Sequence, residues 1–68
     1  MNRFKKELTY DCLVQEWESW WKAYGPLRFG QHIVNKYLIT EPMQSAPDIF
    51  YEEDAYDAFT LIFMEITH

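Results

Sequence analysis

The chemistry open to this chain is narrow. Cys12, His32 and His68 are the residues that could combine into a nucleophile and its base. Nothing in their spacing brings them together. His68 is the last residue, where a side chain frays. His32 falls inside a helical pattern, where an imidazole more often serves as a surface or hydrogen-bonded group than as a base. With one cysteine there is no internal disulfide, and no CxxC or Cys/His spacing marks a metal site. The acids Glu52, Glu53, Asp54 and Asp57 are crowded, but they lack the ligand spacing and glycine of a calcium loop. No phosphate-binding loop or dinucleotide fingerprint is present. These residues predict no catalysis, no metal and no cofactor.

Binding chemistry is better represented. The chain has three Trp, five Tyr and five Phe in 68 residues. Trp17, Trp20, Trp21 and Tyr24 fall within two helical turns. Aromatics at helical spacing ordinarily fill a core, yet Trp and Tyr are also favoured in interfaces. Adjacent Trp20 and Trp21 cannot point the same way, so one of them is a candidate partner contact. Charge supplies a second candidate surface. All six basic residues lie in the first 36 positions, and seven acids with no Lys or Arg follow. Such a one-sided negative field suits a basic partner and repels nucleic acid, or it serves solubility alone. Glu52, Glu53, Asp54 and Asp57 join Trp20 and Trp21 as candidate partner-binding residues.

Three helical patterns, at approximately 4–24, 27–39 and 54–66, must position these side chains. In the first, Phe4 and Leu8 start a 3- and 4-residue spacing that runs to Tyr24; alternatively, Thr9 caps a helix that begins at Tyr10. Gly25 and Pro26 end it. Pro26 then suits the first turn of the second helix, whose apolar face reads Leu27, Gly30, Val34, Tyr37 and Leu38. Gly30 costs about 1 kcal/mol relative to Ala, which close approach of another helix would offset. Arg28, Gln31 and Asn35 form a polar stripe beside that face. Ser45 to Asp48 resembles a capping box and predicts a short helical turn near 46–51. Asp54 caps the last helix, with Asp57 in its first turn and Ala55, Phe59, Ile62, Phe63 and Ile66 as its apolar face. A strand over 59–67 is the rival, but it lacks alternation and a hairpin partner. The expected fold is all-α, a small three-helix bundle in one domain over 1–68. No apolar run reaches membrane-spanning length and no signal peptide is visible, so a soluble cytoplasmic protein is expected. A core this small leaves room for a homodimer.

The residues Arg28-Phe29-Gly30-Gln31 with Asn35, and then Pro47-Asp48-Ile49-Phe50-Tyr51-Glu52-Glu53-Asp54, resemble a pattern in short, largely uncharacterised proteins encoded by bacteriophages and prophages. There it reads R-x-G-Q-x-x-x-N, then a proline, a pair of bulky residues and an acid. The resemblance covers about residues 27 to 59 and implies a phage or mobile-element origin, with no catalytic residues. The stripe also has a physical reading: the segment from Ile49 to Asp54 folds across it, Arg28 pairs with Glu53 or Asp54, and Gln31 or Asn35 satisfies loop backbone. Alternatively, the stripe binds something outside. Together these features predict a small non-enzymatic protein that binds and modulates or inhibits a host protein, with host defence or nucleic-acid-processing machinery as the target class. An assembly homo-oligomer and an acidic DNA mimic are the alternatives.

Overall fold

The computed structural model describes residues 3–39 and 46–67. Its order is α1 (Tyr10–Tyr24), α2 (Phe29–Tyr37), a single turn α3 (Pro47–Phe50) and α4 (Ala55–Thr67). Among the described residues there is no strand, so the chain is the expected small helical bundle and 59–67 is helix. No described helix is long and apolar enough to cross a membrane.

The helix ends follow from local chemistry. Thr9 is extended and its side chain accepts from the Cys12 N–H at 3.2 Å, so α1 begins at Tyr10 and not near residue 4. Phe4 and Leu8 still enter the core, but from an irregular arm. That arm forms an antiparallel bridge between Phe4 and Leu38, in which Lys5 N–H donates to the Tyr37 carbonyl at 2.8 Å and Ile39 N–H to that of Arg3 at 3.2 Å. Its outer end is held by Arg3, which bonds Glu65 on α4 and Asp48 on α3. Gly25 takes φ 70° at the end of α1, and its N–H returns to the Trp21 carbonyl.

The second helix starts later than its apolar spacing predicts. Arg28 is left-handed (φ 59°, ψ 32°), so Pro26 lies in the turn and not in the helix. The indole N–H of Trp20 donates to the Leu27 carbonyl at 2.7 Å and secures that turn. Leu27 is consequently exposed, and Phe29 and Ile33 take the core positions beside Gly30 and Val34. In α4, Asp54 is the cap as expected, its Oδ1 accepting from Tyr56 and Asp57 N–H groups. The buried face is Ala55, Ala58 and Ile62, with Phe63 turned outward. At α3, Ala46 makes no side-chain cap bond; the expected Ser45 cap lies outside the described residues.

The rotation of α4 has a cause at Gly30. A Cβ there would stand 2.7 Å from the Ile49 carbonyl oxygen and 3.1 Å from the Ala58 Cβ. Helix α2 therefore packs backbone-close against α3 and α4, as the glycine predicts. Gly30→Ala is expected to destabilise the fold by about 1–3 kcal/mol through overpacking, measured as a lowered midpoint in urea denaturation. An unchanged midpoint would mean that α2 does not press on α3 as described.

Candidate functional site

Two surfaces carry the residues of interest, and they lie on opposite flanks of α1. On the α2 flank, Glu16 is the centre of a polar cluster. Its Oε1 lies 2.9 Å from His32 Nε2, and its Oε2 accepts from Lys36 Nζ at 2.7 Å and from the Tyr37 hydroxyl at 2.5 Å. Burial alone would raise the carboxyl pKa; the bonds from Lys36, Tyr37 and His32 outweigh it and hold Glu16 down at about 2. The Tyr37 phenol is pushed up by burial and by its bonds to Cys12, whose Sγ is 3.2 Å away, and Glu16. Glu16 is thus held ionised with both oxygens occupied, which makes it a clasp between α1 and α2 and a poor proton acceptor. Trp20 stacks on His32 with centroids 4.3 Å apart and lies against Tyr24 at 4.4 Å. Sequence reasoning missed this cluster. The signal was Cys12, Glu16 and Trp20 at four-residue spacing on one helix, but their partners are set by tertiary packing.

The polar stripe lies on the same flank. Arg28, Gln31 and Asn35 border a shallow cavity of about 360 Å³ together with Trp20, His32 and Lys36. The segment from Phe50 to Glu53 does come over the stripe, leaving a cleft of about 410 Å³ above Arg28 and Gln31. The expected pairing does not form: among the described residues Arg28 has no ion pair with Glu53 or Asp54, because its left-handed backbone and the open cleft keep the guanidinium apart from those carboxylates. Nor does either amide of the stripe bond a described loop group.

The other flank is aromatic. Helices α1 and α4 run antiparallel, shown by the pairing of Tyr10 with Phe63 (5.4 Å), Trp17 with Phe59 (5.0 Å) and Tyr56 (5.5 Å), and Trp21 with Tyr56 (6.1 Å). Between them lies a groove of about 290 Å³ lined by Val14, Trp17, Tyr56, Phe59 and Thr60. Tyr56 is 65% exposed although it closes on two tryptophans. The Trp21 indole N–H is buried and donates to no described acceptor, a desolvation cost of about 1–3 kcal/mol.

The candidate partner-binding residues therefore divide. Trp21 belongs to the aromatic flank, beside Tyr56 and the start of α4, where Asp54 and Asp57 stand; Glu52 and Glu53 line the cleft over the polar stripe, and none of the four has a cationic partner among the described residues. Trp20 is engaged internally on the other flank. Tyr10, Val14, Tyr56, Phe59 and Thr60 were not singled out as a site, although Tyr10, Val14, Trp17 and Trp21 keep one helical stripe. No group of three or more His, Cys, Asp and Glu among the described residues is placed to hold a metal ion. Comparison of the chain with protein-family models, with curated proteins and with solved structures gives no match in any of the three.

Two outcomes are expected. A Glu16 pKa of about 2, below the ordinary 4.5, adds stability that is complete above pH 4.5 and is lost as pH falls from there toward 2. Glu16→Gln should therefore cost about 2 kcal/mol at neutral pH, and the gap from wild type should close as the pH of the denaturation experiment is lowered. A gap independent of pH would show that the carboxylate charge is not the source. Arg28→Ala should leave the thermal midpoint nearly unchanged, within about 0.5 kcal/mol, since it removes no described bond; a large loss would restore a structural role for the stripe.

Proposed function

We propose that this chain is a small non-enzymatic interaction protein of phage type, which binds a host protein in the bacterial cytoplasm and modulates or inhibits it. The observation that carries the reading is the acid-flanked aromatic groove between α1 and α4. Its one exposed ring, Tyr56 at 65%, is no part of the core, whose largest fully buried side chains are Phe29, Leu13, Ile33, Ile49, Ile62 and Val34. Trp and Tyr are among the residues most enriched in binding hot spots. The phage origin rests on the resemblance at residues 27 to 59, and host defence or nucleic-acid-processing machinery is the target class because such proteins present basic surfaces.

Acidic DNA mimicry is less favoured. Of the seven acids in the second half, Asp48 and Glu65 are paired with Arg3, and Asp54 is occupied in capping α4. An assembly homo-oligomer through the groove would oppose like charges.

The test is capture from a bacterial lysate by the tagged chain at low and high salt, with Tyr56→Ala as the control. One host protein retained in both salts, and weakened at least tenfold by Tyr56→Ala, is the expected result. Retention at low salt alone would favour mimicry. No capture, with the chain eluting as a discrete oligomer, would favour assembly.

A further inference from the structure

The geometry points to the occupant of the groove: a basic amphipathic helix of the partner, laid between α1 and α4 with its apolar stripe on Val14, Tyr56 and Phe59 and its cations against acids on both rims. The inference rests on the interaction reading above and names the chemistry of the partner.

Length and shape come first. Helix α1 has 15 residues and α4 has 13, and the groove between them is lined over about one turn of each, from Val14 to Trp17 and from Tyr56 to Thr60. That seats the apolar side chains of about one to two turns of a third helix. The walls are side chains of helices whose backbone groups are already bonded, so an extended peptide would find no main-chain partners. A helix needs none and anchors through i, i+3, i+4 and i+7 side chains.

Charge then selects the sign. Asp11 and Glu18 are seven residues apart on α1 and fall on the stripe next to Val14. Lys22 follows Glu18 by one turn and is the one cation of that stripe. On α4, Asp57 follows Tyr56, and Asp54 caps the start of the helix. All four acids are exposed, and none has an ion pair among the described residues. A second copy of this chain would bring the same acids face to face, and an anionic membrane or a nucleic acid would meet the same repulsion. A helix with an apolar stripe flanked by Lys and Arg satisfies both the floor and the rims.

The probe is a 16-residue peptide with Leu at i, i+3, i+4 and i+7 positions and Lys elsewhere. One control has the same composition with the stripe permuted, and another has Glu in place of Lys. Binding is read from amide NMR shifts of the 15N-labelled chain and from Trp fluorescence. The striped basic peptide is expected to shift Val14, Tyr56, Phe59 and Thr60, and to bind at least tenfold more tightly than either control. Asp11→Asn/Glu18→Gln, two exposed changes that leave the α4 cap intact, should weaken it severalfold at low salt, and Tyr56→Ala should weaken it at every salt. Equal binding of the permuted peptide, or shifts confined to Arg28, Gln31 and Asn35, would overturn the inference. Failure of every peptide while a host protein is still captured would overturn the helical occupant and leave the interaction reading intact. Peptide binding in the groove with nothing captured from the lysate would support the groove chemistry and count against the host-partner reading.

Discussion

The contact between Gly30 and the Ile49 carbonyl governs the rest of the molecule. A helix can approach another backbone this closely only where no Cβ intervenes. The small Ala58 of α4 meets the same point. With α2, α3 and α4 drawn together there, Phe29, Ile33, Val34, Ile49 and Ile62 fill the interior. Helix α1 is left to pack on the outside of that unit. Leu13 is its one fully buried side chain, and Trp17 covers the core as a half-buried lid touching Phe29 and Phe59. The aromatic residues of α1 are thus a shell around the core. That is why a chain so rich in rings still shows many of them to solvent.

The charges divide along the same line. Arg3 is taken up by Asp48 and Glu65, and Lys36 with His32 by Glu16, each tying one segment to another. Those clasps lie at the arm and on the α2 flank of α1. They engage cations from the basic half of the sequence and leave Glu52, Glu53, Asp54 and Asp57 unpaired among the described residues. Lys22 stands one turn from Glu18 on α1, so the field over the α1–α4 groove is the excess of Asp11, Glu18, Asp54 and Asp57 over that one cation.

Local chemistry was legible in the sequence, and tertiary rotation was not. Gly25, Pro26, Asp54 and the alternative cap at Thr9 each announce a helix end through backbone geometry or one side-chain bond, and Gly30 announces a close approach. The failures have specific causes. Phe4 and Leu8 continue the spacing of α1, but Thr9 offers its side chain to Cys12 N–H and breaks the helix, leaving a bridged arm. Leu27 was placed in the core because Pro26 can open a helix; the Trp20 bond to the Leu27 carbonyl and the left-handed Arg28 turn it outward. The Glu16 cluster joins residues up to 25 positions apart, and no spacing within one helix foretells which residue of the next will face it. The choice between Trp20 and Trp21 was open for the same reason. Each is half-buried, and only the packing of α2 on one side and α4 on the other says which one borders the groove.

Trp17 makes that groove more than a surface feature. Its ring meets Phe29, Tyr56, Phe59 and Trp21 at 4.9 to 5.5 Å between centroids, and Phe29 and Phe59 also stack on each other at 6.3 Å. A ligand seated on Tyr56 and Phe59 would press on the same indole that covers Phe29. Phe29 follows Arg28 and opens α2, so the aromatic shell connects the groove to the start of the polar stripe. The two flanks of α1, chemically unlike and facing different ways, are bridged by packed rings: Trp17 borders the groove and lies against Phe29, and Phe29 opens the helix that carries the stripe.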